Sequence, residues 1–343
     1  MTDFTILADK ALRDELLTPE ECLAVLHTPD DRLLELLQAA FKVRERYFGK
    51  TVRLQMLLNA KSGACQEDCG YCSQSSVSTA PIERYGLLPQ DQMITGARRA
   101  AAAKAQRYCI VISGRSPLDR EIADIASAVR SIKQEVPIQI CCSLGLLNER
   151  QAKDLKAAGV DRINHNLNTS EAYHAEICST HTFQDRLATI RHARTAGLEI
   201  CSGGIVGMGE GDEDLIDLAL ALREVKPDSI PLNMLHPASG TPLEHCTPLT
   251  PQRCLKALCL FRFLHPRTEL RIAGGREHNL RSLQPLALYP ADSVFVNGYL
   301  TTPGQPAAEV WRMIEDLGFD IQVDALPTQG ATPAAEPAVG LHS

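Results

Sequence analysis

The chain has 343 residues, 44% hydrophobic and 22% charged, proportions of a globular protein with enough apolar material for one large domain or two ordinary ones. Lys plus Arg number 35 against 42 Asp plus Glu, and a net charge of −7 argues against nucleic acid as the main partner. No apolar run approaches the roughly 20 residues of a membrane span, and MTDFTILADKALRDELL shows neither a signal nor a transit pattern; the expectation is a soluble, cytoplasmic protein.

The first fifty residues read as a helical extension. Thr18-Pro19-Glu20-Glu21 and Thr28-Pro29-Asp30-Asp31 each set a capping Thr before Pro with a carboxylate three residues after the Thr. The second is expected to open an amphipathic helix over Leu33–Phe48, stopped by Gly49. From there strand-like and helical runs alternate. Strands are predicted at 52–58, 108–113, 138–143, 161–168, 198–202, 229–235, 270–273 and 293–297. Helices follow near 90–104, 119–134, 148–158, 182–196, 212–225, 250–264, 280–288 and 305–317. Eight such units define a (β/α)8 TIM-type barrel, with an open doubly wound sheet as the other possible arrangement. The expected organisation is an extension over 1–50, a barrel over 51–324 and a Pro-, Ala- and Thr-rich disordered tail over 325–343.

Period-two alternation assigns faces to the strands, because the outer face of a barrel must be apolar to pack on helices. Tyr108, Ile110 and Ile112 share one face, leaving Cys109, Val111 and Ser113 for the lumen. Likewise Ile138, Ile140, Cys142 and Leu144 face outward, so Gln139, Cys141 and Ser143 point in. Arg162, Asn164, Asn166 and Asn168 fall together, as do Cys201 with Glu199 and Asn233 with Ser229; Arg271 lies opposite Leu270 and Ile272. A purely structural lumen is filled by Val, Ile and Leu. Polar and thiol groups converging from five or six strands mark a site.

The chain has 12 cysteines, and in a chain of this size clustered thiols read as metal ligands or reactive groups, isolated ones as small buried hydrophobes. After the first strand comes Gly63-Ala64-Cys65-Gln66-Glu67-Asp68-Cys69-Gly70-Tyr71-Cys72, three cysteines within eight residues. Such a run can wrap one side of a cubane iron–sulfur cluster and leave the fourth iron open. Structural zinc normally takes four ligands, and no second Cys pair follows at finger spacing.

At these residues the sequence resembles the radical S-adenosylmethionine (SAM) superfamily, whose signature C-x3-C-x-Φ-C is met with Tyr71 as the aromatic. The resemblance narrows to the biotin synthase family through Asn59–Gly63, Tyr71–Ser75, Asn164–Ser170, Cys201–Glu210, Arg271–Glu277 and Tyr299–Pro303, in order along the chain. It implies a [4Fe-4S] cluster on Cys65, Cys69 and Cys72 that binds SAM and cleaves it to a 5′-deoxyadenosyl radical. It further implies a [2Fe-2S] cluster on Cys109, Cys141, Cys201 and Arg271, all inward-facing by the alternation above. The implied activity is insertion of sulfur from that second cluster between C6 and C9 of dethiobiotin, forming biotin.

By the same resemblance, Asn164, Asn166 and Asn233 contact substrate, Asn166 and Asn168 the nucleoside, Tyr71 the adenine, and Thr301 and Thr302 the substrate carboxylate. Many family members have Asp where Asn168 stands. The Gly203, Gly204, Gly207 and Gly209 segment is no dinucleotide fingerprint; it is either a simple turn or, by resemblance, a close backbone approach to SAM. An Asn ladder satisfied by ordered water is the alternative for Asn164–Asn168. For Arg271 the alternative is a buried ion pair with Glu199. His165 reads equally as a core histidine, Arg276 and His278 as solvated loop residues. Cys22, Cys142, Cys178, Cys246, Cys254 and Cys259 read as inert thiols.

The competing functional readings are another radical SAM barrel enzyme, such as a maturase or mutase, and a zinc- or cluster-bearing scaffold. The resemblance implies dethiobiotin and SAM as small-molecule partners, a flavodoxin or ferredoxin as reductant, and a homodimer in which the N-terminal helices could take part.

Overall fold

The computed structural model describes residues 2–323, so the tail expected at 325–343 lies outside the described residues. The strands are β1 (Thr51–Lys61), β2 (Arg107–Ile112), β3 (Gln139–Ser143), β4 (Arg162–Asn164), β5 (Glu199–Cys201), β6 (Gly204–Val206), β7 (Ser229–Met234), β8 (Glu269–Ile272), β9 (Ser293–Phe295) and β10 (Asp320–Ile321). All pairings among them are parallel. The order β1-β2-β3-β4-β5-β7-β8-β9 closes through β9 against β1, giving the (β/α)8 barrel. All eight predicted strands are present. The fifth barrel position is split, with β5 and β6 both pairing to β7, and the short β10 adds to the start of β1 outside the ring.

The helices are α1 (Phe4–Leu12), α2 (Pro19–Leu26), α3 (Leu33–Phe48), α4 (Gln90–Ala102), α5 (Asp119–Glu135), α6 (Glu149–Ala158), α7 (His174–Ile177), α8 (Phe183–Thr195), α9 (Asp212–Val225), α10 (Pro251–Leu264), α11 (Arg276–Leu280) and α12 (Ala307–Asp316). Thr18 caps α2 with a complete capping box, and Gly49 ends α3 at a φ of 57°. The second Thr-Pro pair behaves otherwise: the Thr28 hydroxyl donates back to Val25 O at 2.8 Å, and a short 3-10 turn over 30–32 precedes α3. Thr28 is thus consumed by the preceding helix end, and α3 begins without a side-chain cap.

The N-terminal helices pack on α9 and α10, which explains why α10 is buried nearly all round, Cys254 and Cys259 included. Arg262 on α10 and Asp292 ahead of β9 have fully buried side chains paired at 2.6 Å. Asp292 also holds Arg53 of β1 at 2.7 Å and accepts from Leu270 N of β8 at 2.9 Å. One carboxylate therefore ties an outer helix to three strands where the ring closes.

Breaking one member of such a buried pair leaves an uncompensated charge, at a cost of about 3–5 kcal/mol. Asp292→Asn should lower stability by that amount in urea unfolding; an unshifted midpoint would show that the pair contributes nothing net.

Candidate active site

The barrel axis carries two layers of polar side chains, and register builds them. Cys109 of β2 pairs with Cys141 of β3, Asn164 of β4 with Cys201 of β5, and Arg271 of β8 with Ser293 of β9. Because side chains alternate, residues two positions earlier form a layer below: Arg107, Gln139, Arg162, Glu199 and Glu269.

The lower layer is an ion network centred on Glu269. Its Oε1 accepts from Arg271 Nη2 at 2.5 Å and from Gln55 Nε2 at 2.9 Å; its Oε2 accepts from Arg162 Nη1 at 3.1 Å and Arg107 Nη1 at 3.5 Å. Burial opposes the Glu269 charge, yet three guanidiniums overcome it and hold the carboxyl well below its usual range. Arg271 is likewise penalised by burial, but Glu269 and the Cys201 sulfur hold it firmly charged. Its remaining donors reach Ser229 Oγ at 2.7 Å, Ser293 Oγ at 3.2 Å and Cys201 Sγ at 3.5 Å. The partner of Arg271 is therefore Glu269 rather than Glu199, which instead accepts from Arg162 Nε at 2.8 Å at the half-exposed lower rim. The alternation rule puts Glu269 and Arg271 on one face, so this partner was readable from their spacing.

Above that floor, Cys109, Cys141, Cys201 and Arg271 are 7%, 3%, 0% and 2% exposed. Cys109 hydrogen bonds to Cys141, and with Arg162, Arg107 and Arg271 nearby this holds Cys141 below the usual thiol range despite burial. Three soft donors and a guanidinium already neutralised from beneath fit an anionic [2Fe-2S] cluster. Cys142, paired with Ile110 and Ile163 on the outer face, is fully buried in the apolar core.

A cavity of about 320 Å³ opens upward from this layer, and Cys65, Cys69 and Cys72 line it from the loop after β1. Tight turns shape that loop: Cys72 N donates to Cys69 O at 3.1 Å, and Ser75 N to Cys72 O at 3.1 Å. Gly63, at a φ of 73°, anchors its start by accepting from Ser113 Oγ at 2.6 Å. Burial pushes the Cys72 thiol up to about 11. Three thiols on one loop facing one cavity fit three irons of a [4Fe-4S] cluster.

Asn164, Asn166 and Asn168 all line the cavity. Asn164 Nδ2 donates to Cys201 Sγ at 3.2 Å, Asn166 Oδ1 accepts from Gly203 N at 3.1 Å, and Asn168 Nδ2 donates to the Tyr71 hydroxyl at 2.6 Å. The strand ends at Asn164 rather than continuing to 168, and Asn168 sits at a φ of 73°, a conformation Asn tolerates. Asn233 also lines the cavity, but its amide bridges Gly204 O at 3.1 Å and Gly274 N at 2.9 Å, joining neighbouring strand ends. Thr301 and Thr302 close the mouth, where Thr301 Oγ1 lies 2.9 Å from Ser73 Oγ of the cysteine loop.

Other expectations change. Gly203, Gly204, Gly207 and Gly209 are not among the cavity-lining residues; Ile205 represents that segment. A Cβ at Gly207 would meet Leu249 at 2.9 Å and one at Gly209 the Tyr173 hydroxyl at 2.7 Å, so on its Cβ side each glycine makes room for protein. The turn also closes on itself, Gly207 N and Met208 N each donating to Glu210 at 2.6 Å. Arg276 is no solvated loop residue: it is buried, pairing with Glu277 at 2.7 Å and donating to Gln284 at 2.6 Å. His265 and His165 are both buried; His165 lines the cavity and is held neutral by burial, with Arg186 and His181 adding to the effect. Cys178 is buried too, but among polar groups beside Cys69 rather than in the apolar core.

The sequence profile of the Radical SAM superfamily matches residues 60–222, and that of the Biotin and Thiamin Synthesis associated domain matches 231–320. Among solved structures, methylornithine synthase superposes with a TM-score of 0.81 at 20% identity, covering 92% of this chain and 97% of that one. The [FeFe]-hydrogenase maturase of Carboxydothermus hydrogenoformans gives 0.79 at 18% identity over 94% of this chain and 80% of its own. At such identities these likenesses establish the fold alone. Fold, cysteine loop and matched profiles together define a radical SAM barrel enzyme. Biotin synthase of Geobacillus kaustophilus is 49% identical over 96% of this chain and 99% of its own length. That of Bacillus subtilis is 50% identical over 94% and 96%. The chain belongs to the biotin synthase family.

Glu269→Gln keeps the shape of the floor but strands three buried guanidiniums, so it should destabilise the protein by about 3–5 kcal/mol. Arg271→Ala should cost less, because Glu269 keeps Arg107, Arg162 and Gln55. Urea unfolding of the two variants checks this order, and the reverse order would refute the central place given to Glu269.

Proposed function

We propose that this chain forms biotin from dethiobiotin by SAM-dependent radical insertion of sulfur between C6 and C9, with the [2Fe-2S] cluster as sulfur source. The observation that carries this reading is the buried set Cys109, Cys141, Cys201 and Arg271, directly beneath a cavity lined by Cys65, Cys69 and Cys72. A radical SAM enzyme that inserts no sulfur needs only the second group of thiols, and a zinc scaffold needs neither the cavity nor the Arg.

When bound, SAM and the [4Fe-4S] cluster supply an adenosyl radical, and the [2Fe-2S] cluster supplies sulfide. The chain's own part is placement and exclusion of water. Cys65, Cys69 and Cys72 hold the upper cluster; Cys109, Cys141, Cys201 and Arg271 hold the lower one. Tyr71 packs in a small apolar cluster with Ile177, Ile205, Met208 and Leu235, a surface suited to an adenine face. Asn168, bonded to the Tyr71 hydroxyl, and Asn166 suit the nucleoside, while Asn164, Asn166 and Asn233 suit the ureido edges of the substrate. Thr301 and Thr302 suit its carboxylate, and the Thr301–Ser73 contact helps close the mouth so that a radical is kept from solvent. Gly203, Gly204, Gly207 and Gly209 act by shaping the turn behind Ile205 rather than by touching SAM. No proton-transfer pair is required.

The catalytic unit in this reading is the barrel from residue 51 onward, with 1–50 as its cover. It takes electrons from a small reductant protein of the flavodoxin or ferredoxin kind and works in the cytoplasm. Among the described residues no helix is long and apolar enough to cross a membrane. The exposed Ile6, Leu16 and Leu34 offer apolar side chains to a second copy in a homodimer.

Anaerobic incubation of reconstituted protein with SAM, dethiobiotin and reductant should yield 5′-deoxyadenosine and biotin together. Cys141→Ala should retain deoxyadenosine formation and lose biotin. Undiminished biotin from that variant would sink the sulfur-source assignment, and deoxyadenosine without biotin from protein holding both clusters would sink the substrate.

A further inference from the structure

The segment that follows β4 folds back over the cysteine loop. Gly70 N donates to Ile177 O at 2.9 Å, and Asp68 N donates to Thr180 Oγ1 at 3.2 Å. This clamp brings Cys178 and His181 against Cys69. The Cys69 and Cys178 sulfurs are 3.7 Å apart, Cys178 Sγ lies 3.3 Å from His181 Nδ1, and the three ligand atoms all fall within 4.8 Å of one another. Glu67 Oε2 lies 2.5 Å from His181 Nδ1 and 4.0 Å from Cys178 Sγ. All four residues are buried, at 5–7% exposure.

We propose that, before its iron–sulfur cluster is installed, the chain binds one soft divalent cation of the zinc class on Cys69, Cys178 and His181. Two thiolates and an imidazole are zinc-type donors, while Glu67 Oε2, 2.5 Å from His181 Nδ1 where two ligand atoms on one zinc would keep about 3.3 Å, stands as an outer neighbour. The spacing agrees: zinc–sulfur bonds of about 2.3 Å at tetrahedral angles put two sulfurs about 3.8 Å apart, against 3.7 Å here. The same reasoning, with a zinc–nitrogen bond of about 2.0 Å, gives a sulfur–nitrogen separation of about 3.5 Å, against 3.3 Å. Binding exchanges two thiol protons, released to solvent, for the cation. Outer groups are already in place. Arg115 lies 3.1 Å from the second Glu67 oxygen, and Asp68 is held by Ser179 N at 3.0 Å and by Thr180 N at 3.3 Å.

Cys69 is shared with the [4Fe-4S] position, so the two occupancies exclude each other; only this exclusion rests on the proposed function. The cation would pin the cysteine loop to the 178–181 turn until iron and sulfide displace it. Cys178 is thus a ligand of the precursor state and has no part in the reaction.

Cobalt(II) titration of anaerobic, cluster-free, full-length protein tests this. The expected result is one cobalt per chain, with tetrahedral visible bands and thiolate-to-cobalt charge transfer. Cys178→Ser and His181→Ala should each weaken binding at least about tenfold, and the double variant Cys65→Ser/Cys72→Ser should leave it unchanged. Cys178→Ser should still load its clusters and form biotin, which separates this site from the cluster itself. Cobalt binding lost in the double variant but kept in Cys178→Ser would overturn the proposal, as would the absence of a tetrahedral spectrum. Cobalt bound equally by cluster-loaded protein would refute the shared ligand.

Discussion

The site depends on keeping a guanidinium charged in the centre of a barrel. An isolated buried Arg is too costly to keep, and a thiol layer alone would not attract one strongly enough. Glu269 resolves this by standing one layer lower and binding Arg271, Arg162 and Arg107 with its two oxygens. Counting Glu199 on Arg162 as well, the two layers hold three arginines against two carboxylates, so one net positive charge lies beside Cys109, Cys141 and Cys201. That excess is what an anionic cluster of sulfide and thiolates requires. Structure and chemistry thus share one device, a carboxylate whose own charge is secured by three arginines.

Much of this was legible in the sequence because strands obey a simple period. The inward set Cys109, Cys141, Cys201 and Arg271 follows from alternation against Ile and Leu on the opposite face, before any resemblance is considered. The eight-unit rhythm and the capping box at Thr18 were equally plain. The second Thr-Pro failed because capping requires the hydroxyl to be free, and Thr28 is already bonded to the helix behind it.

What could not be read was contact between distant loops. Nothing in the local sequence says that Cys178 meets Cys69 across 109 positions, and burial of a lone Cys reads the same in a core or beside a ligand. Arg276 escaped for a similar reason, since its partners Gln284 and Gln305 come from other turns. The glycine-rich segment is ambiguous in another way. Glycine allows close approach, but its sequence does not say whether protein or ligand does the approaching.

The split between β5 and β6 has a wider meaning. Across the split Ser202 N still donates to Ser229 O at 3.0 Å and Gly203 O accepts from Asn168 N at 3.1 Å. Side chains add further stitches: Asn166 takes Gly203 N at 3.1 Å, and Asn233 ties Gly204 to Gly274. The amides that line the cavity are therefore also seams of the barrel. Folding has already fixed their rotamers, so a ligand that engages them loses little further conformational freedom. Recognition in this lumen is stiff, and that stiffness favours one orientation of a small, flexible substrate over many near-equivalent ones.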